Sequence, residues 1–306
     1  MSLKSVIKDI NNLKIQGASA IAQEAIRALI SESKSVRQEG HQFIVRIEKM
    51  IADLLATRST EPLMQNGLAF ILVKLRQTSA KPASEMQAIL EKTGLEYLEL
   101  ITDSTQKIVA KGKSLLKKND NIFTHCHSSL VEKIIIAAWQ DKNIAVYNTE
   151  TRPLFQGRIT AQNLLAQGVP TTMVADSAAD FLISKHSGKE LMMNIIILGA
   201  DSISWEGNVY NKIGSYGIAL AAWEAKIPLY IAATALKMDA DNKIQIELRA
   251  SSEIWSLKPG NLKILNFAFD LIPAKFITGI ITEFGIVKPS LLKAKVAKNY
   301  SWLLKD

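Results

Sequence analysis

Residues 192–223 read MMNIIILGADSISWEGNVYNKIGSYGIALAAW, and this stretch decides the fold class. Four apolar residues, 195–198, are followed at once by Gly199, a pattern typical of a strand that is buried on both faces of a parallel sheet. The strand delivers Asp201 to its end. From Asn211 onward, apolar residues and the absence of proline predict a helix whose free N–H groups, near residues 212–215, would attract an anion. The alternative is a solvated turn that Asp201 caps.

The composition indicates a globular protein with a sizeable core. The 306 residues are 48% hydrophobic and 22% charged, and a chain of this length predicts two domains. The single cysteine excludes an internal disulfide, which fits a reducing compartment. The sequence has no signal-peptide pattern and no run of 18 apolar residues, so we expect a cytoplasmic protein without a membrane partner.

The net charge of +8 raises the question of a nucleic-acid partner. Lysine and arginine are spread along the chain and aromatic residues make up only 7%, so nucleic acid is an unlikely partner. A dispersed positive field that attracts small phosphorylated molecules accounts equally well for the charge.

Residues 1–118 carry apolar side chains at helical spacing and predict a helical N-terminal domain. The segment TSAKPAS, at 78–84, interrupts the pattern, and Ser84 is the predicted N-cap of a long helix over 84–117. The remaining residues, 119–306, alternate short apolar runs with helical segments, which predicts a Rossmann-like α/β domain with a mostly parallel sheet.

Five strands are predicted in this second domain, at 121–124, 144–147, 171–175, 194–198 and 228–232, with a possible edge strand at IQIEL (244–248). Ligands bind at the carboxyl ends of strands in open α/β sheets. The residues after the five strands read THCHSS, TETRP, DSAAD, GADS and ATALK. Because each of these ends carries polar or reactive groups, we expect one site there rather than a purely structural edge.

Cys126 is the most distinctive single residue of the predicted site. Buried cysteines are usually inert, but this one precedes Ser128 and Ser129, where a helix N-terminus is expected to lower the thiol pKa. A zinc site is disfavoured, since adjacent residues of an extended strand point to opposite faces and no second Cys/His cluster exists. No G-x-G-x-x-G follows a predicted strand, so a dinucleotide cofactor is not expected either.

Several groups could bind phosphate. Arg58 and Arg152 lie beside small hydroxyl residues, an arrangement that suits a phosphate, although a surface ion pair is the alternative for either arginine. Gly17 and Ala18 begin a predicted helix whose N–H groups could hold a second phosphate. Two anion sites would suit a bisphosphate.

The motifs together resemble a known family. They are THCHS, ETRP with Gln156-Gly157, DSAA, GADSI, Asn211-Lys212-Ile213-Gly214 and FDLIPAKFITGIITEFG. From about residue 15 to 288 the chain is similar to the family that unites ribose-1,5-bisphosphate isomerase, 5-methylthioribose-1-phosphate isomerase and the regulatory subunits of the exchange factor for translation initiation factor two. That resemblance implies a helical domain before a Rossmann-like domain, and no metal or redox cofactor. It also implies catalysis by Cys126 and Asp201. The residues that it implies for substrate binding are Gly17, Ala18, Arg58, Arg152, Asn211 and Lys212.

The resemblance also implies a substrate and an assembly. Asp201 favours an enzyme over a non-catalytic regulatory subunit, and THCHS with ETRP is closer to the ribose-bisphosphate branch than to the methylthioribose branch. Gln16 stands where the isomerases usually have Arg. A homodimer or hexamer is expected, with the apolar segment 276–286 as exposed contact surface.

Overall fold

Helices make up the first part of the chain. The computed structural model describes residues 1–58, 60–78, 80–242 and 246–304. Five helices precede the first strand: α1 Leu3–Asn11, α2 Ala18–Ser33, α3 Gly40–Leu55, α4 Pro62–Arg76 and α5 Ala83–Leu115. In α3, for example, Phe43, Ile47 and Leu54 recur at helical spacing and are fully buried. The predicted helical N-terminal region is confirmed.

The longest helix, α5, differs slightly from its prediction at both ends. Ser84 is not its N-cap, because Pro82 already occupies that position in an extended conformation and the helix begins at Ala83. The helix ends at Leu115 rather than at residue 117. There the Lys142 ammonium donates to the carbonyls of Lys113 and Leu116, at Nζ–O distances of 2.5 and 2.6 Å, and so satisfies two carbonyls that the helix end leaves free.

Two sheets follow. The strands are β1 Asn121–Thr124, β2 Ala145–Thr149, β3 Thr171–Val174, β4 Ile195–Leu198, β5 Ser202–Ile203, β6 Val209–Lys212, β7 Leu229–Ala232, β8 Phe269–Ile272, β9 Gly279–Thr282 and β10 Gly285–Val287. Seven of them form one sheet in the order β10-β9-β7-β4-β1-β2-β3, which is parallel except for β10. All five predicted strands exist within two residues of their expected bounds, and the mostly parallel α/β sheet is confirmed.

Helices connect the parallel strands: α6 Ser129–Lys142, α7 Gln156–Ala166, α8 Ala179–Ile183 and α9 Ser215–Ala225, with α10 Leu292–Asn299 near the end of the chain. The side chains of β4 explain why its sequence is apolar throughout. Ile195 and Ile197 join one buried cluster, whereas Ile196 and Leu198 join another on the opposite face of the sheet. The second of these clusters also contains buried apolar side chains of α1–α4, so the helical region packs directly on the sheet. The proposed boundary at residue 118 stays a prediction.

Three predictions fail or fall outside the described residues. The predicted helix exists as α9, but its expected start at Asn211 is wrong. Val209–Lys212 pairs as β6 with β5 and β8 in a three-stranded sheet, and α9 begins only at Ser215, after Gly214 at φ 103°. Exposure of 276–286 is wrong as well, since Ile280 and Ile281 are fully buried in β9. Of the expected edge strand at 244–248, residues 244 and 245 lie outside the described ranges, and Leu248 forms a single bridge with Phe267.

Candidate active site

A cavity of about 490 Å³ lies at the carboxyl ends of β1, β4 and β7, beneath the helical region. Seven of the eight predicted site residues line it: Gly17, Ala18, Arg58, Cys126, Asp201, Asn211 and Lys212. Gly199 allows the ends of β1 and β4 to approach, because a Cβ atom at this position would lie 2.9 Å from Cβ and Oγ of Ser128. The structure therefore brings the two predicted catalytic residues to one cavity.

Arg152 is the predicted site residue that does not line this cavity. Its side chain is exposed, its guanidinium donates to the Ile254 carbonyl (Nη2–O 3.3 Å), and it lies 5.0 Å from the centre of the Phe155 ring. Its backbone, however, is tied to the site. The N–H groups of Thr151 and Arg152 donate to the Asp176 carboxylate at 2.8 and 2.6 Å, so the DSAA motif holds the ETRP loop in place.

Cys126 sits in a left-handed backbone conformation, φ 65°, which is unusual for a residue other than glycine. Its N–H donates to Thr151 Oγ1 (3.0 Å), and its carbonyl accepts from Thr160 Oγ1 (2.9 Å). Hydrogen bonds on both sides of the residue thus fix a conformation that would otherwise be costly.

His125 continues this network away from the cysteine. Its Nε2 lies 2.9 Å from the Ile213 carbonyl oxygen, which can only accept, so Nε2 carries the proton. Nδ1 then accepts from Thr149 Oγ1 (2.5 Å), which in turn accepts from Thr151 Oγ1 (3.1 Å). Burial lowers the pKa of His125 to about 4, and the imidazole is therefore neutral and serves to orient the loop.

The thiol does not have the lowered pKa that the sequence suggested. Burial raises the pKa of Cys126 to about 11, with the Asp201 charge raising it further and the Lys212 ammonium lowering it. The nearby helix α6 is capped by its own Ser128, whose Oγ accepts from the Val131 N–H (3.4 Å). The expectation is wrong because desolvation outweighs the helix terminus, and Cys126 is a protonated thiol at neutral pH.

Asp201 follows β4 and faces cations. Its N–H donates to the Tyr210 carbonyl (2.9 Å), which anchors the residue to β6. Burial raises the pKa of its carboxyl group, whereas Lys237, Lys212 and Arg58 lower it. The Lys237 ammonium is itself held by the Ala200 carbonyl, at an Nζ–O distance of 2.5 Å.

The helical region supplies an anion-binding end to the cavity. Gly17, at φ 81°, precedes α2, and no side chain caps that helix. Residues 17–20 line the cavity, so the first N–H groups of α2 are placed to receive an anion. Gln16 also lines the cavity, but its amide donates to the Leu13 carbonyl (Nε2–O 2.7 Å).

Arg58 belongs to a chain of charges across the two regions. It forms an ion pair with Glu247, at an Nη1–Oε1 distance of 3.2 Å. Arg249 also pairs with Glu247 (Nη1–Oε1 3.2 Å) and forms a further ion pair with Glu253 (Nη2–Oε1 2.8 Å). Both arginine side chains are largely buried, 13% and 14% exposed. An anion in the cavity would thus meet two arginines whose positions are already fixed.

Several residues that line the cavity were not predicted from the sequence, among them Glu61, Lys133 and Arg249. Lys237 was included only as part of the segment ATALK after the fifth strand. Neither Glu61 nor Arg249 follows a strand of the main sheet, and no local motif marks them. In the described ranges, no group of three or more His, Cys, Asp or Glu side chains could hold a metal ion, and no helix has the length and apolar character of a membrane span.

Sequence relatives match this chain over nearly its whole length. A ribose 1,5-bisphosphate isomerase of Thermococcus kodakarensis is 32% identical over 313 residues, which cover 98% of this chain and 95% of the relative. A methylthioribose-1-phosphate isomerase of Pelotomaculum thermopropionicum is 34% identical over 305 residues, which cover 93% of this chain and 82% of the relative.

Solved structures agree with this relationship. The translation initiation factor eIF-2B of Pyrococcus horikoshii superposes with a TM-score of 0.80 at 28% identity, covering 94% of this chain and 97% of that one. The 5-methylthioribose 1-phosphate isomerase of the same organism gives a TM-score of 0.79 at 26% identity, covering 98% and 88%. Residues 14–289 match the Initiation factor 2 subunit family, and the chain belongs to that family.

Proposed function

We propose that the protein is an aldose–ketose isomerase that converts ribose 1,5-bisphosphate to ribulose 1,5-bisphosphate. The observation that carries this proposal is that a protonated thiol, Cys126, and a carboxyl group, Asp201, line one cavity with five cationic side chains. Curated relatives with which the chain shares 30–34% identity are sugar-phosphate isomerases. A regulatory subunit has no need for such an acid–base pair.

The chemistry requires one proton donor and one proton acceptor. The ring oxygen of the substrate must gain a proton as its bond to C1 breaks, hydrogen must pass from C2 to C1, and the C2 hydroxyl must lose its proton. The neutral Cys126 thiol suits the donor, because a group with a raised pKa holds its proton at neutral pH. Asp201, facing Lys237 and Lys212, suits the acceptor.

The cations favour a substrate with two phosphates. The described residues that line the cavity include Arg58, Lys133, Lys212, Lys237 and Arg249. With the first turn of α2, they supply more anion-binding groups than one phosphate requires. Methylthioribose 1-phosphate is the second candidate, because the Pelotomaculum relative is 34% identical to this chain.

An NMR assay tests both substrates. Purified protein is incubated separately with ribose 1,5-bisphosphate and methylthioribose 1-phosphate, and ketose formation is followed with the Asp201→Asn variant as the background control. We expect faster turnover of the bisphosphate. Faster turnover of methylthioribose 1-phosphate would reverse the assignment, and turnover of neither would favour a regulatory role.

We expect Arg58→Ala to raise the KM for the bisphosphate about tenfold or more while kcat falls less, because a phosphate contact acts on bound substrate and transition state alike. Arg152→Ala is the matched control, since the exposed Arg152 side chain lies outside the cavity lining. Steady-state kinetics measure both variants. A larger KM effect at Arg152 would show that this residue moves onto the substrate.

Self-association is the final part of the proposed function. Tyr216, Leu220 and Trp223 on the outer face of α9 are 43%, 42% and 60% exposed. The Phe276 ring packs against the rings of Tyr216 and Trp223. Because such an aromatic face is costly to leave in water, we expect a homodimer or hexamer. Light scattering should give two or six times the chain mass of 33.8 kDa, and Trp223→Glu should reduce it. A wild-type mass of 33.8 kDa would contradict this expectation.

A further inference from the structure

Glu61 is a buried carboxyl group to which the reaction described above assigns no role. Its residue is only 5% exposed, it lines the cavity, and it immediately precedes α4. An acidic residue in this position commonly caps its helix, but the Glu61 side chain makes no capping hydrogen bond. Its Oε2 is buried without a hydrogen-bond partner among the described residues. An unsatisfied buried carboxyl is costly to a fold, which points to a role in the site.

The position of Glu61 is fixed by contacts between the helical region and the sheet. The Asn66 amide, one turn further along α4, donates to the carbonyls of Leu236 and Met238 at 2.8 and 2.9 Å. These bonds hold the start of α4 against the turn that carries Lys237. The Glu283 carboxylate accepts from the N–H of Ala235 in the same turn (3.0 Å). The backbone of Glu61 is therefore held beside the cavity.

The charged groups that act on Glu61 are Asp201, Lys237, Arg58 and Glu247. The pKa of Glu61 is raised to about 8, mainly by burial and secondly by the Asp201 charge. The charges of Lys237 and Arg58 act in the opposite direction and lower this pKa. Burial also raises the pKa of Asp201, but three cations oppose that rise. Two carboxyl groups in one desolvated cavity wall do not both ionise readily, and Glu61, with its pKa of about 8, holds its proton near neutral pH.

We propose that Glu61 and Asp201 act as a pair of carboxyl groups in one cavity wall, in which Glu61 keeps its proton and Asp201 is the ionised member that accepts a proton from the substrate. This inference rests on the proposed function. Glu61 is a positioning residue that acts through Asp201. During turnover Cys126 gives a proton to the ring oxygen and Asp201 gains one from the C2 hydroxyl, and return of that proton from Asp201 to Cys126 restores the starting state.

Ionisation of Glu61 would harm the reaction, because a second negative charge in the cavity wall would repel the phosphates of the substrate. The pair thus makes activity fall on the alkaline side as Glu61 loses its proton.

The pH dependence of kcat/KM tests this pair. Above about pH 8, kcat/KM of the wild-type protein should fall roughly tenfold per pH unit, because the reaction requires one proton that is lost in this range. Glu61→Gln carries an uncharged group of the same shape that cannot ionise, so we expect its alkaline limb to be displaced upward by about one pH unit or more. Glu48→Gln is the matched control, because Glu48 pairs with Arg76 on the outside of the helical region and should leave the profile unchanged. An unchanged alkaline limb in Glu61→Gln would overturn the proposal.

A titration without substrate separates this proposal from the proposed function. In protein labelled with ¹³C at the glutamate carboxyl carbon, the resonance missing from Glu61→Gln identifies Glu61. We expect its midpoint to lie well above the ordinary value of about 4.3 and to fall in Asp201→Asn, where the neighbouring charge is gone. An ordinary midpoint, or the same midpoint with and without the Asp201 charge, refutes the pair even if the isomerase assay succeeds. Failure of the isomerase assay leaves this titration valid.

Discussion

Asp201→Asn is expected to lower kcat by about a hundredfold or more, because an amide cannot accept the proton that the substrate hydroxyl loses. Cys126→Ser should cause a loss of similar size, since a hydroxyl is a far weaker proton donor than a thiol in the same position. Stopped assays on the purified variants measure both losses. The substrate is the one that wild-type protein turns over faster.

Two controls distinguish a loss of catalysis from a loss of folding. Asp53→Asn removes the charge of an exposed residue on α3 and should leave kcat unchanged. Unfolding temperatures of the two site variants should stay near that of wild type, because both changes preserve the volume of the side chain. A variant at Cys126 or Asp201 that keeps near-wild-type kcat removes that residue from the mechanism.

Gly157→Ala is expected to destabilise the fold by roughly 3 kcal/mol or more, the scale of a severe steric conflict in a packed core. A Cβ atom at Gly157 would overlap the Thr149 backbone carbonyl oxygen, which is only 1.8 Å from the ideal Cβ position. A backbone atom cannot rotate away as a flexible side chain can. Because Thr149 also holds His125, the change should disturb the Cys126 loop as well as the fold.

Chemical denaturation measures this loss, and Gly217→Ala provides the matched control. Gly217 lies within α9, and a Cβ there would meet nothing within 4 Å. Alanine at that position should stabilise the protein by about 0.5–1 kcal/mol through its higher helix propensity. If Gly157→Ala unfolds at the same denaturant concentration as wild type, the close approach of α7 to β2 is relieved by a small backbone shift.

The strands of the main sheet were predictable from local sequence, and so was the edge at which the site lies. The run 195–198 is apolar at every position because β4 is covered on both faces, and this property is visible without any tertiary information. The same logic placed Cys126 and Asp201 at one edge. β6 was mistaken for the start of a helix because its strand character depends on pairing with β8, about 60 residues away in sequence.

Other parts of the site depend on contacts that no local pattern contains. Glu61 lines the same cavity as Asp201, and the start of α4 is held there by Asn66, which binds carbonyls about 170 residues further along the chain. The thiol pKa was predicted in the wrong direction for a related reason. A helix N-terminus is recognisable in the sequence, but the desolvation of the thiol of the half-buried Cys126 follows from the packing around the cavity.

The raised pKa of the Cys126 thiol has a consequence for the chemical stability of the enzyme. Peroxides and alkylating reagents react with thiolates, and a thiol with a pKa of about 11 supplies very little thiolate at cellular pH. The environment that keeps a proton on Cys126 for catalysis therefore also shields its sulfur from oxidation to sulfenic acid. The one cysteine of this chain can therefore serve as a proton donor without being readily oxidised.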